Sequence, residues 1–126
     1  TALQWQGAPL IERQLGRAAM SRQIIAIAQA QGNLPILADN RSVLADLFYT
    51  GQNEGLTYYA PRPKGRPDNH YEQRYPLPLD FKGPLVLITA HPPACARAAM
   101  ALDATGGAYA RRGLAAYVIE ADCYDQ

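Results

Sequence analysis

The chain is short of the residues that announce a chemistry. It has two cysteines in 126 residues, Cys95 and Cys123. That is too few for a disulfide framework, and they are not spaced as a CxxC or zinc motif. They read as small buried hydrophobes, with a single disulfide open to them if the domain lies outside the cytoplasm. Charge of neither sign is in excess: twelve Lys and Arg face eleven Asp and Glu, a formal net charge of +1. That balance gives no electrostatic footprint for nucleic acid, which is not expected as a partner. No apolar run reaches the length of a bilayer crossing; the longest candidates are Ile24–Ala28 and Leu85–Ile88. The first residues lack the basic stretch and long apolar core of a signal peptide. There is no GxGxxG and no GxxxxGK[ST], which argues against a dinucleotide site or a P-loop. There is no GxSxG elbow, and neither histidine sits in HxxxH or HExxH spacing. The expectation is therefore no catalytic residue, no metal ligand and no cofactor within this chain.

What is present is a globular composition. Hydrophobic residues make up 48% and charged residues 18%, enough for one domain around one core. Residues 1–9 read as a linker or juxtamembrane lead-in, opened by Thr1 where an initiator Met would stand. Residues 10–126 read as one soluble α/β domain.

Periodicity places the elements. Pro9 suits a helix start, and that helix is expected to reach Gln31, with Gly32-Asn33 as its stop. Met20, Ile24, Ile27 and Ala28 share one face; Gly16 weakens the segment before them. A strand follows over Pro35–Ala38, then a polar corner, Asp39-Asn40-Arg41, then a helix from Ser42 to Thr50. Val43, Leu44, Leu47 and Phe48 form its apolar stripe, Asn40 or Ser42 can cap it, and Gly51 ends it. Leu56–Ala60 is rich in strand-favouring residues.

From Pro61 to Pro84 lie six of the ten prolines, so most of that stretch cannot form regular structure. Its charges (Arg62, Lys64, Arg66 and Arg74 against Asp68 and Glu72) suit a solvated loop, or contact with an anionic headgroup or phosphate. Pro84–Thr89 has an unbroken apolar run and is expected to be buried on both faces. Pro92-Pro93 predicts a helix through Ala94–Leu102, broken by Gly106-Gly107. A last strand is expected over Leu114–Ala121. Strands alternating with helices imply an α/β fold. The expected architecture is a three-layer α/β/α sandwich with a mostly parallel, Rossmann-like sheet of four to five strands. The strands at Leu34 and Leu85 belong in its middle and the C-terminal strand at an edge, with an antiparallel direction open to it.

In such a sheet ligands bind beyond the C-terminal strand ends. Three polar groups are expected to gather there: Asp39, Asn40 and Arg41; Asn69, His70, Tyr71 and Glu72; and His91. A carboxylate beside a histidine is suited to acid–base work. The simpler reading of Asp39-Asn40-Arg41 is a cap plus a salt bridge. That of Asn69–Glu72 is a loop folding back on itself, with Tyr71 buried.

Two segments carry a family likeness. One is Ala38-Asp39-Asn40-Arg41 with Ala45-Asp46-Leu47-Phe48-Tyr49. The other, after the Pro/Arg-rich spacer, is Asn69-His70-Tyr71-Glu72. Over about residues 10–90 the chain resembles the soluble C-terminal domain of bacterial membrane glycosyltransferases of the dolichyl-phosphate-mannose–protein mannosyltransferase type. That group includes the aminoarabinose transferases acting on lipid A. The resemblance implies an extracytoplasmic domain at the bacterial inner membrane, attached to a multi-spanning region of the same polypeptide. It implies sugar transfer from a polyprenyl-phosphate donor, with the catalytic carboxylate in a loop between the first membrane helices and so outside this chain. The partners it implies are that membrane region and a lipid-linked sugar or acceptor headgroup. Two readings of other classes stand beside it: a free-standing domain that binds a nucleotide or sugar, and a small enzyme using an Asp/His pair.

Overall fold

The structure is a computed structural model and describes residues 8–102 and 113–124. The elements run α1 (Ala8–Ala30), β1 (Ile36–Ala38), α2 (Arg41–Thr50), β2 (Tyr58–Tyr59), α3 (His70–Arg74), β3 (Pro84–Thr89), β4 (Arg97–Ala101), β5 (Ala115–Glu120) and α4 (Ala121–Tyr124). The strands form one sheet in the order β2-β1-β3-β5-β4. β1 pairs parallel with β2 and with β3. β5 pairs antiparallel with β3 and with β4. Four strands therefore point one way and β5 alone is reversed, so the α/β class and the mostly parallel sheet are as expected.

Alternation along the strands divides the core in two. Ile36, Ala38, Val86 and Ile88 project to one face, where Met20, Ile24, Ile25 and Ala28 of α1 and Val43, Leu44 and Leu47 of α2 cover them. Each such buried Leu, Ile or Val contributes about 1.5–3 kcal/mol relative to leaving it in water. Leu37, Leu85, Leu87 and Ile119 project to the other face. There the cover is thin: Leu77 and Phe81 from the loop before β3, and Cys123 and Tyr124 from the single turn of α4. The continuous apolar run of β3 is explained by this double burial.

Local signals fix the element ends. α1 stops where Gly32 and Asn33 take positive φ values of 90° and 63°. The helix passes through Gly16 without a break, because the packed face beyond it outweighs a propensity loss of about 1 kcal/mol. Asn40, extended in φ and ψ, accepts from the Ser42 and Val43 amides and is the N-cap of α2.

Gly51 ends α2 for a reason other than backbone freedom, since its φ is −103°. A Cβ there would run into the Tyr58 hydroxyl and stand 2.8 Å from Ile25 Cδ1. The Tyr58 hydroxyl is held in place, donating to the Gly51 carbonyl at 2.8 Å. Burial, and then the carboxylate of Glu54, push the Tyr58 phenol above its ordinary pKa, so it stays a donor. Gly51→Ala should destabilise the fold by about 1–3 kcal/mol, the usual cost of overpacking. Urea titration checks this: a midpoint unchanged from wild type would mean that Tyr58 swings away freely.

Three expectations are corrected. The helix predicted over Ala94–Leu102 is instead the strand β4, Arg97–Ala101. Its pairing with β5 and a covalent tether at Cys95 outweigh the helix propensity of its alanines. The last strand is not an edge strand: β5 lies between β3 and β4, and β4 is the edge. Cys95 and Cys123 are not free buried hydrophobes but a disulfide, with Cα atoms 5.9 Å apart. The long Pro-rich stretch, expected to lack regular structure through most of its length, holds one short helix, α3. Arg62 pins that stretch by donating to the carbonyls of Leu77 (3.0 Å) and Pro78 (2.9 Å).

Candidate functional site

Chain order creates a switch point in this sheet. From β1 the chain moves outward to β2, then returns across β1 to β3. The C-terminal ends of β1 and β3 therefore diverge into loops on opposite sides, which leaves a crevice between them. Asp39 follows β1 there, and Ala90 and His91 follow β3. Because β5 runs antiparallel with Thr89 opposite Ala115, its first residues also reach this end. Asp39, Asn40, Ala90, His91 and Leu114 line a hollow of about 290 Å³.

Thr89 organises it. The residue is 1% exposed, at the end of an otherwise apolar strand. Its hydroxyl donates to Asp39 Oδ2 at 2.5 Å and accepts from the His91 backbone N–H at 3.0 Å. One buried side chain thus sets both the carboxylate and the turn that carries the imidazole. The Asp39 amide donates to the Ile88 carbonyl at 3.3 Å, which ties the two strand ends together. Asn40 uses its side-chain oxygen in capping α2, and its NH₂ makes no hydrogen bond among the described residues. Sequence reasoning found Asp39, Asn40 and His91 but passed over Thr89 and Leu114. A lone hydroxyl closing an apolar run was the available signal for Thr89.

The other expected groups do not join this hollow. Arg41 opens α2 with an exposed side chain and is not among the described residues lining it. Asn69, His70, Tyr71 and Glu72 form a separate corner built on local capping. Asn69 accepts from the Glu72 amide at 3.0 Å, and Glu72 accepts from the Asp68 amide at 3.1 Å. Tyr71 and Tyr75 pack on Phe48 of α2, with ring centroids 5.4 Å and 4.6 Å away. His70 meets Tyr71 edge-on at 5.5 Å. The salt bridge expected of the polar corner is also elsewhere: Arg17 grips Asp46 through two hydrogen bonds of 2.9 and 2.6 Å, joining α1 to α2. Among the described residues no three His, Cys, Asp or Glu side chains stand together as metal ligands would. No helix among them is long and apolar enough to cross a membrane.

The chain is similar to lipid A galacturonosyltransferase RgtD of Rhizobium johnstonii, with 36% identity over 121 residues. The match takes in 93% of this chain and 26% of that relative, so the chain spans about a quarter of the relative's length. No family model matches the chain. No solved structure matches it. The similarity is that of a glycosyltransferase-related segment.

Proposed function

We propose that this chain is the extracytoplasmic, non-catalytic part of a membrane glycosyltransferase of the mannosyltransferase and aminoarabinose transferase kind. In this reading the membrane-embedded region of the same polypeptide transfers a sugar from a polyprenyl-phosphate donor to a lipid acceptor. The present domain roofs that active site or helps recruit the acceptor headgroup. The observation that carries the reading is the match of nearly the whole chain to a quarter of a lipid A galacturonosyltransferase. An end-to-end match to one part of a longer enzyme is what a domain of such an enzyme would give. The Cys95–Cys123 disulfide supports the extracytoplasmic side, because structural disulfides persist in oxidising compartments.

The test is made in the full-length glycosyltransferase that carries this segment. Deleting residues 8–124 should abolish transfer to the lipid acceptor in membranes that hold wild-type amounts of the inserted protein. The isolated 126-residue chain should transfer nothing. Transfer that survives the deletion, or that the isolated chain performs, would overturn the reading. The hollow at Asp39 and His91 supports a second reading, a free-standing domain that binds a small molecule. It predicts a parent gene without membrane-spanning segments.

A further inference from the structure

The geometry points to the hollow at the β1 and β3 ends as a binding site for the hydroxyls of a single neutral sugar ring. This rests on the glycosyltransferase reading for its choice of sugar over other polyols. The ligand class follows from what lines the hollow. Asp39 presents a carboxylate of which one oxygen is taken by Thr89. The other makes no hydrogen bond among the described residues, and an ionised carboxylate accepts several hydroxyl donors through short, charge-assisted bonds. Asn40 offers a side-chain NH₂, because only its oxygen is spent on the cap. His91 offers an imidazole on an exposed turn. Ala90 and Leu114 supply the apolar wall. Acceptor, donor and apolar surface together match a pyranose, which has hydroxyls at its rim and C–H groups on its faces.

Charge and size narrow the class. The described lining carries one carboxylate, that of Asp39, and a negative charge there repels a phosphate or a uronate. A volume of about 290 Å³ falls just short of the usual range for small-molecule sites, roughly 300–1,000 Å³, which limits the occupant to one ring. Preorganisation is built in: the buried Thr89 hydroxyl fixes the carboxylate before any ligand arrives.

The experiment is an NMR titration of the isotope-labelled 126-residue chain with methyl glucoside and, separately, the methyl glycoside of glucuronic acid with its carboxylate free. Methyl glucoside should shift the amides of Asp39, Asn40 and His91 saturably, with Kd of about 1–10 mM. The glucuronic acid glycoside should bind about tenfold more weakly. Asp39→Asn keeps an oxygen for Thr89 but removes the charge, and should weaken glucoside binding about tenfold, the scale of one charge-assisted hydrogen bond. His91→Ala alters an exposed side chain, so it tests the site without risk to the fold. It should weaken binding severalfold. Unsaturated shifts, equal affinity for glucoside and glucuronate, or unchanged binding in both variants would overturn the site. This titration requires no transferase activity and the deletion experiment requires no binding, so the two readings fail separately.

Discussion

Replacing Cys95 and Cys123 by serine should lower the stability of the chain by about 3–4 kcal/mol, the loop-closure value for two residues 28 apart in sequence. For a domain of this size that is a fall in Tm of roughly 10–15 °C. The effect is large because the bond closes the least secured part of the fold. β4 is an edge strand, and its ladder to β5 is interrupted by a register shift between Arg97 and Met100. The disulfide ties the entry to β4 onto α4, which in turn caps the thin face of the sheet. Serine also places two hydroxyls where the half-buried Cys95 and buried Cys123 sulfurs stood. Thermal unfolding followed by circular dichroism, with and without reductant, checks this. Wild type in reductant should approach the double-serine variant. A reductant shift below about 2 °C would show that the bond adds little to the stability of the fold.

The proposed extracytoplasmic side of the membrane bears on that result. A disulfide worth several kcal/mol is kept only where thiols are not held reduced. In a reducing cytoplasm the same chain would lose the tether that secures the entry to the short, bulged edge strand β4. The proposed extracytoplasmic placement and the stability of β4 therefore rest on the same bond.

Much of the first half of the fold was legible because local and tertiary signals agree there. The stripe Val43, Leu44, Leu47 and Phe48 specifies α2 and its buried face, and Asn40 caps it. Leu85–Ile88 reads as a strand buried on both faces, and it is one. The second half was less legible because the signals conflict. Alanines after Pro92-Pro93 favour a helix locally, yet the β5 ladder and the cysteine tether make Arg97–Ala101 a strand. Neither constraint can be read from the segment itself, since the partner strand lies beyond it and the cysteine partner stands 28 residues away. The site divided in the same way. Asp39 and His91 could be placed at strand ends from topology alone. The separation of Asn69–Glu72 could not, because it depends on Tyr71 and Tyr75 choosing Phe48 as their platform.

Two leucines in this chain should respond to the same substitution to very different extents. Leu37 is fully buried. It lies in β1 opposite Leu87 of β3 and Tyr59 of β2, and it shares its face with Leu77, Leu85 and Ile119. Leu37→Ala should cost about 2–5 kcal/mol, from lost transfer energy plus the cavity that remains. The upper half of that range is expected. The neighbours on either side are strand backbones fixed by ladder hydrogen bonds, so they cannot close over the space. The cover above is a loop and one helical turn, but that cover is itself pinned by Arg62 and by the disulfide. Leu79 sits in the same covering loop and is 87% exposed; Leu79→Ala should change stability by less than about 0.5 kcal/mol. Paired urea titrations with a common m-value separate the two. Equal midpoints would mean that the second face of the sheet is not a packed core. A further step distinguishes packing from tethering. Leu37 and Cys123 belong to one cluster, so Leu37→Ala in the double-serine background should cost measurably less than in wild type, because a released cover can settle into the cavity.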